Sequence, residues 1–188
     1  MTNIIEQIRD EHSNMTTLLN ALERQVAVFD EGGKPDYEIV TGVIDYFLDY
    51  PDRCHHPKED LLARKIMEVA RGADAAGPLP ELEAQHEELG ILTRRFHQFV
   101  RRVLDEAELP RGDFVRAATE FIASQRHHMR MEEEHFLPLA EVTLNQDDLA
   151  ELGSELFAET DPLMDPDTEA RYGALRDAIL SWEAEARR

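Results

Sequence analysis

Two short stretches crowd metal-binding side chains together: His55-His56-Pro57-Lys58-Glu59-Asp60 and His127-His128-Met129-Arg130-Met131-Glu132-Glu133. In each, a histidine precedes a glutamate by four residues, His55 before Glu59 and His128 before Glu132. That spacing stacks both side chains on one face of a helix. Imidazole nitrogens and carboxylate oxygens, without a thiolate set, suit iron or manganese, and zinc can also take them. Two more histidines stand where apolar residues belong: His12 in the series Ile5, Ile8, His12, Met15, Leu19, and His86 in the series Leu82, His86, Leu89, Thr93, Phe96. One such histidine is ordinarily a satisfied core residue. The same feature on four segments points to a shared purpose.

Ionised carboxylates buried without partners cost several kcal/mol each, and Glu59 and Glu132 in one core would repel each other. A pair of bound cations removes both objections, and a carboxylate that bridges two metals is a natural use for each glutamate. Two iron ions are the expected cofactor.

These residues need elements to bring them to one level. Apolar residues recur at intervals of three and four almost throughout, and alternating β-branched stretches are missing, so the chain reads as all-α. The pattern predicts helices over about residues 3–30, 36–71, 81–106 and 112–142, with breakers at Gly32-Gly33-Lys34-Pro35 and over 72–80. Pro51 and Pro57 predict a kink or short break just before His55. Four long amphipathic helices on short loops pack most simply as an up-down-up-down four-helix bundle, here residues 1–142. Residues 143–188 read as a C-terminal extension of two weaker helices around the breaker run Asp161-Pro162-Leu163-Met164-Asp165-Pro166, too poor in apolar residues for a core of its own. At about 1.5 Å per residue, His12 lies roughly 15 Å from one end of the bundle, His86 about 10 Å, the His55–Glu59 pair about 18 to 24 Å and the His128–Glu132 pair about 15 to 21 Å. These depths are compatible with one layer.

The formal net charge of −20 repels phosphate backbones and anionic lipid, so nucleic acid and membrane surfaces are not expected partners. No run approaches the roughly 18 apolar residues of a membrane span. The single cysteine, Cys54, cannot form an internal disulfide, and the first residues show no basic segment followed by an apolar one; a cytoplasmic address is expected.

The ordered set of His12 in DEH, His55 and Glu59 in HHPKED, His86 in QHEELG, and His128 and Glu132 in HHMRMEEEHFLP resembles the hemerythrin-like (HHE cation-binding) family over roughly residues 3–142. The resemblance implies a hemerythrin-like bundle holding a non-haem di-iron centre with a bridging oxo or hydroxo group. It also implies O2, NO or peroxide as the small ligand, in a carrier, a sensor or a stress-response protein, and it allows turnover of peroxide or NO. Where oxygen-carrying relatives place a second histidine four residues after the first on the third helix, this chain has Gly90. Four imidazoles, two bridging carboxylates and one bridging oxygen fill about ten of the roughly twelve positions of two six-coordinate metals. Tyr46, Tyr50, His56 and His135 are the candidates to enter the rest. His97 lies about 16 Å too far along the axis from His86 to join. Cys54 reads as a buried inert thiol, and Glu133 and Glu134 as a solvated helix face. The alternative is a ferritin-like di-iron oxidase or iron-storage protein, because Glu83-Ala84-Gln85-His86 and Glu132-Glu133-Glu134-His135 fit E-x-x-H; it leaves His12, His55 and His128 without roles.

Overall fold

The computed structural model of the chain describes residues 3–70, 77, 79–105, 110–155 and 175. Among these residues every regular element is helical and no strand occurs. Helix α1 spans Ile4–Asp30 and is opened by a reciprocal cap: the Asn3 side chain accepts from the Ile5 and Glu6 amides, while Glu6 accepts from the Asn3 amide. It ends where Gly32 turns the chain at a φ of +89°, a conformation that glycine adopts without a Cβ penalty.

The second rod joins α2 (Tyr37–Tyr50) to α3 (His56–Val69) through a π-helical turn at Pro51–His55. The kink or short break expected before His55 takes the form of this π turn. The chain stays helical and widens by one residue, with the His56 amide donating to the carbonyl of Pro51. Pro57 has no amide to offer the carbonyl four residues earlier, which favours the wider pairing at this point. The same device recurs in the fourth rod. There α5 (Arg111–Met131) continues through a π turn at Glu132–Phe136, where the Leu137 amide donates to Glu132, into α6 (Leu137–Thr143), with Pro138 at its start. Between these rods, α4 runs Leu79–Leu104.

Each rod packs on the next, and α1 closes the ring against α5. Helix α7, Gln146–Glu155, lies against α1 and α3, and its Leu152 joins Ile4, Ile5, Ile8, Leu62, Ile66, Met131 and Phe136 in one apolar cluster. A larger cluster fills the other half of the bundle, from Met15, Leu19 and Leu22 to Tyr46, Phe47, Phe96, Phe114 and Phe121. Leu175 reaches this cluster and packs over Gly42, 3.5 Å from where a Cβ on that glycine would be, an ordinary van der Waals separation. Most of the two weaker helices expected beyond residue 155 lies outside the described residues. Between the two apolar clusters, every rod is interrupted by polar side chains.

Candidate metal centre

The interrupting layer is made of the six residues singled out by their spacing. His12, His55, Glu59, His128 and Glu132 are buried, and His86 is nearly so. Their functional atoms converge in an ordered way. Glu59 Oε1 lies 3.1 Å from His55 Nε2 and 3.9 Å from His12 Nε2, whereas Glu59 Oε2 lies 3.2 Å from His86 Nε2. Glu132 Oε2 lies 3.2 Å from His12 Nε2, whereas Glu132 Oε1 lies 3.0 Å from His128 Nε2 and 3.8 Å from His86 Nε2. Each carboxylate thus turns one oxygen toward the His12 and His55 pair and the other toward the His86 and His128 pair.

These contacts are close yet not aligned as hydrogen bonds. His12 Nε2, His86 Nε2, His128 Nε2 and all four carboxylate oxygens are buried with no hydrogen-bond partner. Buried polar atoms are nearly always satisfied, so seven such atoms facing one another call for a group that takes lone pairs from all of them. Two donors bound to one first-row cation at about 2.1 Å and at right angles stand about 3 Å apart, the separation seen here. The donor set fits a pair of such cations.

Without cations, protons do part of their work. Burial pushes His55 and His86 down, but the carboxylates around them more than reverse this and hold both at about 9. His12 is likewise held well above the ordinary imidazole value despite its burial, by Glu132, Glu133 and Glu59. Burial and the nearby charge of Glu59 push Glu132 up; His12 and His128 prevail and bring it down to about 2. Glu59, also desolvated, is held well below the carboxylate range by His55, His12 and His86.

The outward-facing ring nitrogens are also held. His55 Nδ1 lies 2.7 Å from Glu11 Oε2, His12 Nδ1 2.8 Å from Glu133 Oε1, and His128 Nδ1 3.1 Å from Gln85 Oε1. Metal-bound histidines characteristically donate their second N–H to such acceptors, which fixes the tautomer and points the other nitrogen inward. Glu11 is itself buried and paired with the buried ammonium of Lys58, which also donates to the Tyr50 hydroxyl at 3.4 Å. Arg9 pairs with Glu133 and Glu141 at the surface.

Sequence reasoning missed these partners. Glu133, expected on a solvated face, is only about one-third exposed and holds His12. Glu11, Gln85 and Glu133 each adjoin a predicted ligand in sequence but serve an imidazole on another rod, so single-helix spacing carries no sign of them. Of the further candidates, His56 is brought to the layer, its ring stacked on His86 at 3.9 Å between centroids and its Nδ1 3.1 Å from Asp52 Oδ1. His135 is exposed, Tyr46 and Tyr50 are buried in the larger apolar cluster, and Cys54 is buried with them. His97 falls in neither group of side chains able to hold a metal, His12, His55, Glu59, Glu132 or His56, Glu59, His86, His128, found among the described residues. Glu83 and His135, one end of each E-x-x-H pair of the ferritin-like alternative, are exposed, so neither pair points inward as a unit.

Such a bundle, with carboxylates and imidazoles arranged around a polar mid-layer, belongs to the class of helical cation-binding proteins that build a metal site from facing rods. Residues 3–140 match the family model of the hemerythrin HHE cation binding domain, and the chain belongs to that family. No curated protein and no solved structure matches it. No helix among the described residues is long and apolar enough to cross a membrane.

Proposed function

We propose that this protein holds two iron ions between Glu59 and Glu132 and uses them to bind or react with O2, NO or peroxide. The observation that carries the reading is the division of each carboxylate between two imidazole pairs. One cation would be held by His12 and His55, the other by His86 and His128, and both by the two glutamates. When bound, the pair supplies redox-active, Lewis-acidic positions for a small ligand.

The chain's own residues do the rest. Glu11, Glu133 and Gln85 keep ring nitrogens turned inward, and Lys58 offsets the charge of Glu11 where water cannot. The apolar clusters on both sides exclude solvent and admit small, weakly hydrated molecules more readily than bulky ones. A sensor, a carrier and a stress-response enzyme can all be built on this centre. Metal analysis of the protein as isolated, coupled to its visible spectrum, tests the reading; about two irons per chain with near-ultraviolet oxo-to-iron absorption is expected, and a colourless zinc protein would contradict it. Anaerobic reduction followed by O2 separates the roles. A stable, reversible coloured adduct marks carriage, and rapid oxidation with peroxide consumption marks catalysis.

A further inference from the structure

Where the oxygen-carrying proteins that this chain resembles place a second histidine on the third helix, four residues after His86, this chain has Gly90. The structure shows what lies beside it. A cleft of about 110 Å³ is lined by Asp52, His56, Leu89, Gly90, Thr93 and Arg94. His56 extends from the π-turned rod so that its ring stacks on that of His86, at 3.9 Å and an interplanar angle of 19°. A ring nitrogen of His56 groups with donor atoms of Glu59, His86 and His128, all within 4.8 Å of one another. Its Nδ1 lies 3.1 Å from Asp52 Oδ1, one turn earlier, which leaves Nε2 for a cation. This is the carboxylate–imidazole arrangement already seen at His12 and His55.

We infer that His56 is a further imidazole donor to the cation held by His86 and His128, supplied from the neighbouring rod in place of the side chain that Gly90 lacks. The inference rests on the two-cation reading above. The donor sets then become unequal: His56, His86 and His128 on one side, His12 and His55 on the other, with Glu59 and Glu132 common to both. The exchangeable position moves to the His12 and His55 side. The π turn is what makes this possible, since it is the local widening from which two consecutive histidines, His55 and His56, serve different cations.

The test uses the full chain loaded with cobalt(II), whose bound imidazoles show hyperfine-shifted, exchangeable ring N–H signals in proton NMR. The wild type is expected to give one such signal for each of His12, His55, His56, His86 and His128, and His56→Ala to lose one. In chelator competition, His56→Ala is expected to weaken one of the two cobalt sites by at least about tenfold. His56→Gln, which keeps a donor for Asp52, is read in parallel so that a folded variant is available. Adding Gly90→His to His56→Ala is expected to restore the lost signal, because a Cβ at Gly90 meets only the movable guanidinium of Arg94, at 3.2 Å. Both His56 variants keeping the wild-type signals and cobalt affinity would overturn the inference and leave the two-cation reading standing. A wild type that binds no cobalt at the layer would overturn both.

Discussion

At the scale of single residues, the proposed centre is an inner set of donors and an outer set that aims them. Replacing an inner imidazole should remove metal: His12→Ala or His128→Ala is expected to bring bound iron well below two per chain by elemental analysis, while His97→Ala leaves it unchanged. The outer set should act more gently. Glu11→Gln weakens the hold on His55 and is expected to lower metal affinity about 10- to 100-fold in chelator competition. It also strands the buried ammonium of Lys58, and removing one partner of a buried pair costs about 3–5 kcal/mol. The double variant Glu11→Gln, Lys58→Met should regain much of that stability in thermal unfolding and none of the affinity. A double variant as unstable as the single one would show that the pair is not the source of the loss. The meeting of the six inner side chains was legible in the sequence because His-x-x-x-Glu repeats on two helices and because His12 and His86 interrupt apolar stripes. Glu11, Gln85 and Glu133 were not, because what makes them functional is which rod lies opposite.

At the scale of elements, helical periodicity predicted all four rods, and the two π turns escaped it. A proline in an apolar pattern reads as a break, yet Pro57 and Pro138 each follow a turn that absorbs the missing amide while the rod continues. Each π turn also adjoins a proposed ligand, His55 closing one and Glu132 opening the other. The extra residue resets the helical phase by about 100° between the ligands and the apolar face beyond. Deleting the exposed Arg53 from the first turn should restore plain α-helix and rotate His55 and Glu59 away from the larger cluster's register. The expected outcome is a protein with near-native helicity by circular dichroism that no longer binds two metals. Full metal binding after the deletion would mean that the turn plays no part in placing the ligands.

At the scale of the whole molecule, the fold encloses a charged layer between two apolar clusters, and its stability should depend on what neutralises that layer. In the metal-free protein, His55 and His86 sit at about 9, above the ordinary imidazole value of about 6.5, so their contribution is fully present below about pH 6.5 and is lost as pH rises through about 9. Glu132, brought down to about 2, contributes above the ordinary carboxylate range and loses that contribution as pH falls toward 2. The melting temperature of chelator-treated protein should therefore fall between pH 6.5 and 9.5. That of the metal-loaded protein should not, because cations displace those protons and bind more tightly as pH rises. Equal alkaline sensitivity of the two forms would contradict this. The docking of α7 through Leu149 and Leu152, and of Leu175 against Gly42, could not be foreseen from a tail with few apolar residues, since one or two leucines at a time join cores built by other elements. The central claim is that two cations share Glu59 and Glu132, and anomalous diffraction from crystals of the iron-loaded protein tests it most directly. Two peaks are predicted inside the bundle, one beside His12 and His55, the other beside His86 and His128, both in contact with the two glutamates. A single peak, or iron only at surface carboxylates, would contradict the account.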